Sequence, residues 1–170
     1  GIRSLLLNEV GLANTAIGGE SLTQNVSGSF NTVVGCQSMT YNISGSSNIA
    51  IGTASLVRNT TGNANVAIGN TALFYSADKS GLVAIGDSAL FSNGLNISVP
   101  DLDGIRNTAI GTKSQLANTE GSDNTSVGYH SLKLNVDGVN NTSVGSNALL
   151  NNHSGNGNTA LGYRALDTNS

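Results

Sequence analysis

The chain has 170 residues and a formal net charge of −3, with 10% charged residues, 4% aromatic residues, no Trp, 24 Asn and 22 Gly. A hydrophobic share of 38% at so small a net charge excludes the low-hydrophobicity, high-charge signature of disorder, and seven scattered Lys and Arg residues form no basic patch for nucleic acid. The single cysteine, Cys36, excludes an intrachain disulfide; no apolar run reaches the ~18 residues of a membrane span; and a start at Gly1 without a signal peptide reads as a piece of something longer.

One glycine recurs along the whole chain, at Gly1, Gly18, Gly35, Gly52, Gly69, Gly86, Gly111, Gly128, Gly145 and Gly162. Every step is 17 residues except Gly86 to Gly111, which is 25, so there are ten copies of one unit and one 8-residue insertion. A fixed period of this size is the mark of a solenoid, in which each unit buries its apolar side only against its neighbours.

With that glycine as position zero, the first predicted element of each unit is a short strand. Position −3 is β-branched throughout, from Thr15 to Thr159; −2 is small, from Ala16 to Ala160; −1 is aliphatic, from Ile17 to Leu161. Such alternation of β-branched and small residues is strand chemistry. The glycine that follows permits positive φ at a corner. Ser or Ala at +3 and Leu or Met at +4, with Gln115 as the exception, form the second predicted strand. Asn at +7 and Gly at +10 then suit a second turn, since both tolerate the left-handed region.

The unit is too short for a strand and a packed helix, so the expected fold is all-β: a parallel β-solenoid of about ten 17-residue coils. Like positions in successive coils then lie ~4.8 Å apart, giving a body roughly 45–50 Å long. The −1 aliphatics and the +4 leucines are expected to face each other across the thin coil. The small −2 residues then face outward, which suggests close approach by another surface. Asn14, Asn31, Asn48, Asn65, Asn107, Asn124, Asn141 and Asn158 at position −4 are expected to stack as an amide ladder, as are the asparagines at +7. The insertion, residues 94–106, holds the only proline, Pro100, with Asp101 and Asp103; it is expected to protrude, as a lateral binding loop or a tolerated excursion.

Chemistry is sparse. His130 and His153 occupy different repeat positions with no carboxylate at metal-ligand spacing, and Cys36 sits at the variable position +1. Ser at +3 alternates with Ala, as packing demands and catalysis does not. No glycine cluster is followed by the Lys-Ser/Thr of a phosphate loop. No enzyme activity, cofactor or metal is therefore expected. Tyr129 and Tyr163, both at +1, are candidates for stacking on a sugar. Sequons such as Asn25-Val-Ser27 and Asn42-Ile-Ser44 arise from the repeat itself.

The strings Asn14-Thr-Ala-Ile-Gly18, Asn65-Val-Ala-Ile-Gly69 and Asn158-Thr-Ala-Leu-Gly162 resemble the repeated strand of trimeric autotransporter adhesin heads, and residues 158–166 are similar to repeats in phage tail fibres that precede a self-cleaving chaperone domain of the endosialidase type. The resemblance implies a left-handed β-roll, a homotrimer and a place on a virion or cell surface. The leading expectation is thus a structural or adhesive fibre segment. A glycan- or receptor-binding head would instead use Pro100, Asp101, Asp103, Tyr129 and Tyr163. An ice-binding solenoid, which needs an outward Thr column, is the third expectation, disfavoured because the −3 Thr column is interrupted and expected to face inward.

Overall fold

The structure is a computed structural model and describes residues 1–95 and 104–169. It is all-β: nine three-residue strands, β1 (Thr15–Ile17), β2 (Thr32–Val34), β3 (Ile49–Ile51), β4 (Val66–Ile68), β5 (Val83–Ile85), β6 (Thr108–Ile110), β7 (Thr125–Val127), β8 (Thr142–Val144) and β9 (Thr159–Leu161), lie side by side in chain order in one parallel sheet. About eight turns of a β-solenoid join them. Register is strict, with each residue opposite its own counterpart in the next turn, as in Ala50 beside Ala67. The eight extra residues leave it undisturbed, since Val83, Ala84 and Ile85 pair with Thr108, Ala109 and Ile110.

The core corrects the expected facing of the strands. Val33, Ala50, Ala67, Ala84 and Ala109 at −2 are fully buried, and so are Leu22, Met39, Leu56, Leu73, Leu90, Leu132 and Leu149 at +4. The −3 and −1 side chains point out, with Ile17 59% and Leu161 79% exposed. The coil is only as wide as one leucine plus one methyl, so the small residue belongs inside; strand alternation then forces both larger neighbours outward. Smallness at −2 reflects an approach inside the turn, not one by an outside surface. Each buried leucine contributes roughly 1.5–3 kcal/mol relative to an exposed one.

The second strand expected at +3 and +4 is absent among the described residues, where those positions form a turn, and the corners also differ from expectation. The repeating non-glycine left-handed residues lie at +2, +4 and −5, for example Glu20 (φ 56°), Leu22 (φ 49°) and Phe30 (φ 60°). A left-handed L-residue costs about 1–2 kcal/mol. Reversal of the backbone there lets each N–H reach a neighbouring turn: Glu20 N donates to Ile2 O at 2.8 Å, Leu22 N to Ser38 O at 3.0 Å and Phe30 N to Leu12 O at 2.9 Å.

Position-zero glycines do take positive φ, Gly18 at 132°. The +10 glycines do not, and neither do the +7 asparagines, so the expected left-handed second turn is absent at those positions. Gly28 is there for room: a Cβ on it would lie 2.3 Å from Gly45 O and 2.5 Å from both Asn25 Oδ1 and Asn42 Nδ2.

Two asparagine columns run through the interior. At +7, Asn25, Asn42 and Asn59 each donate to the asparagine one turn earlier at 2.6–2.8 Å, and to the carbonyl of the +10 residue of their own turn. The column stops at Ser76, which leaves Asn59 Oδ1 buried without a partner, and resumes where Asn118 reaches Asn93 at 3.0 Å. At −4, Asn31 donates both its backbone N–H and its amide to Asn14 Oδ1, at 2.9 and 3.0 Å. Asn48 does the same to Asn31, Asn141 to Asn124, and Asn158 to Asn141. Asn65 and Asn124 connect through the backbone N–H alone, to Asn48 and Asn107.

Candidate functional site

The outward face of β1–β9 runs the length of the sheet. Its two columns are Thr15, Thr32, Ile49, Val66, Val83, Thr108, Thr125, Thr142 and Thr159 at −3, and Ile17, Val34, Ile51, Ile68, Ile85, Ile110, Val127, Val144 and Leu161 at −1. None is charged. Ile49 and Ile51, in the same strand, are 40% and 38% exposed. Parallel sheets ordinarily have both faces covered. Here the inner face is covered by the turn's own leucines and the outer by nothing among the described residues.

The −3 threonines therefore face outward, against the inward facing expected of them. The column remains interrupted by Ile49, Val66 and Val83, and every threonine has an aliphatic neighbour at −1.

The tyrosines proposed for sugar stacking are exposed. Tyr163 is 74% exposed, and Tyr129 stacks on His130 with ring centroids 3.7 Å apart. They lie two turns apart and form no joint site. Pro100, Asp101 and Asp103 lie outside the described residues, as does most of the insertion; of its ends, Gly104 N donates to Glu120 O at 2.8 Å and so rejoins the backbone ladder. Asp123, near the insertion's C-terminal end, meets the Arg106 guanidinium through two bonds of 2.6 and 2.7 Å. That bond holds the Asp123 carboxyl below its ordinary range and raises Arg106.

His130 has a pKa lowered first by burial and then by the charges of Lys133 and Lys113. Its Nε2 is enclosed and has no hydrogen-bond partner. His153 is elsewhere, its Nδ1 2.9 Å from Asn151 O. Among the described residues no three His, Cys, Asp or Glu side chains gather as a metal site. Asn25 and Asn42, both in sequons, are fully buried with their amides engaged in the column, so neither is open to glycosylation in the folded chain.

Sequence reasoning missed an aromatic cluster at +5 and +6, where residue type varies between turns. Phe74 stacks on Phe91 at 5.3 Å, Tyr75 packs edge-on to both, and the Arg58 guanidinium lies 5.3 Å above the Tyr75 ring. Three ring-bearing positions at adjacent +5 and +6 sites were its only signal. No protein-family model, curated protein or solved structure matches this chain.

Proposed function

We propose that the chain is a structural or adhesive segment of a fibre on a virion or cell surface. Three copies would pack the outward faces of β1–β9 together, making an elongated, rigid homotrimer of left-handed ten-coil rolls without catalytic activity. The observation that carries this reading is the uncovered apolar face. Two uncharged columns, one aliphatic throughout and one of threonine with Ile49, Val66 and Val83 at its middle, run the length of a nine-strand sheet instead of standing as scattered single residues. A closed ring of three such faces removes them from water and repeats identically at every turn.

The likeness of the Asn-Thr-Ala-Ile-Gly strand to adhesin and tail-fibre repeats supports the same reading. An ice-binding role fits less well, because aliphatic side chains fill one outward column and the middle of the other. A receptor-binding role for Tyr129 and Tyr163 is favoured only by their exposure.

Electron microscopy of the purified chain tests the proposal. Uniform rods with three-fold averages looking down the long axis support it; single thin particles, or rods with two-fold averages, overturn it.

A further inference from the structure

A groove on another side of the solenoid carries a second reading. Its residues stand at +2, +5, +6 and +8 of successive turns, none at −3 or −1, so it stays open when the strand face is covered. A ridge formed by Tyr41 and Arg58 divides it into two recesses. The first, about 210 Å³, lies against Glu20, Gln37 and Phe74 and exists because Ala54 stands where neighbouring turns carry Gln37 and Thr71. The second, about 520 Å³, is bounded by Gln24, Ile43, Thr60 and Ala77.

Charge is distributed unequally between them. Glu20 borders the first recess, where it accepts a bond from Gln37 at 3.0 Å and pairs with Arg3 at 3.4 Å. No acidic residue borders the second. Arg58 makes no ion pair with any described residue, though the chain as a whole is acidic. Its ring contact with Tyr75 orients the guanidinium without neutralising it. The Gln24 amide and the Tyr41 hydroxyl also have no hydrogen-bond partner among the described residues.

We propose that this groove binds an acidic glycan, with a carboxylated pyranose in the Gln24–Thr60 recess bridged to Arg58 and a neutral sugar in the Glu20–Gln37 recess. A guanidinium fork matches a carboxylate through two parallel bonds. The exposed Tyr41 ring offers a flat face for the C–H side of a sugar, and the Gln24, Gln37 and Thr60 side chains border it with polar atoms that can meet hydroxyls. Glu20 repels a second carboxylate and so sets the order of the two rings. Two recesses divided by a ridge suit consecutive rings better than a continuous peptide, and one cation in an acidic chain does not suit a polyphosphate backbone. The inference gives the adhesive reading a ligand class and rests on it for biological meaning; the binding itself requires only the folded solenoid.

Calorimetric titration of the assembled protein with an oligogalacturonate, and with a neutral galactan oligomer of equal length, tests it. The acidic oligomer is expected to bind, more weakly as salt rises, and the neutral one at least about tenfold more weakly. Arg58→Gln should lose that same factor for the acidic oligomer, Arg58→Lys should recover part of it, and Tyr41→Ala should weaken both oligomers. Particle mass and circular dichroism are read on every variant, so failure of assembly is scored separately from failure to bind. Equal affinity for the two oligomers, no binding by intact particles, or an Arg58→Gln variant that binds as tightly as the parent overturns the proposal.

Discussion

Asn42 gives one amide hydrogen to Asn25 Oδ1 in the preceding turn, at 2.6 Å, and accepts from the Asn59 amide of the following turn at 2.8 Å. All three are fully buried. Replacing the middle one orphans an acceptor below and a donor above. Each unpaired buried group costs about 1–3 kcal/mol. Asn42→Ala should therefore lower stability by about 2–6 kcal/mol in urea unfolding, while Thr53→Ala, at an exposed position, should change it by less than about 0.5 kcal/mol.

Two glycines should respond oppositely to the same substitution. Gly28→Ala drives a methyl onto Gly45 O and two amide side chains, all within 2.5 Å, and should abolish cooperative folding or shift the melting temperature down steeply. Gly81 has a φ of 70° but no atom within 4 Å of an added Cβ. Its counterpart Ala64 already adopts φ 55°. Gly81→Ala should stay within about 1 kcal/mol of the parent, because the left-handed cost is offset by reduced freedom of the unfolded chain.

How much of this was legible beforehand differs by feature. The strand at −3 to −1, its register and the parallel stacking followed from the spacing of Gly18, Gly35 and Gly52, because a 17-residue circuit leaves no other way for like residues to meet; the second strand expected at +3 and +4 is instead a turn with a left-handed leucine. Which strand face lies inside did not follow. Ile51 is the more hydrophobic residue, yet Ala50 is buried; the width of the turn decided, and no single-strand pattern reports that width. Left-handed Leu22 was invisible because leucine has no preference for that region, and its bond to Ser38 together with burial of its side chain sustains it. The groove at Arg58 was hidden for the opposite reason: it arises from differences among turns, which reading for a repeat averages away.

The leucine column is broken once. Gln115 occupies it fully buried, bonding Thr108 O at 2.9 Å and Ser126 Oγ at 2.9 Å, while its Oε1 has no partner. The buried apolar residues form separate clusters on its two sides, ending at Ala109 and resuming at Leu132. Gln115→Leu combined with Ser126→Ala restores the residues found in other turns and joins the clusters. The double variant should be more stable than the parent by about 1–3 kcal/mol in chemical denaturation, and Gln115→Leu alone by less.

His130 gives a pH dependence of definite sign. Its folded pKa lies below the ordinary value, so between the two the unfolded chain binds more protons and stability rises with pH. The contribution is complete above the ordinary histidine range near ~6.5 and is lost as pH falls through that range toward the depressed value. Melting temperatures measured across this window should rise with pH in the parent and rise less in His130→Gln.

In the proposed fibre the outward strand face is covered by other copies of the chain. Multi-angle light scattering at micromolar concentration measures this most directly. The chain should elute at three times its 17.2 kDa mass, and Ile51→Glu with Ile68→Glu should elute at 17.2 kDa with its β-sheet circular dichroism retained. A parent chain that stays at 17.2 kDa over a hundredfold range of concentration would contradict the account.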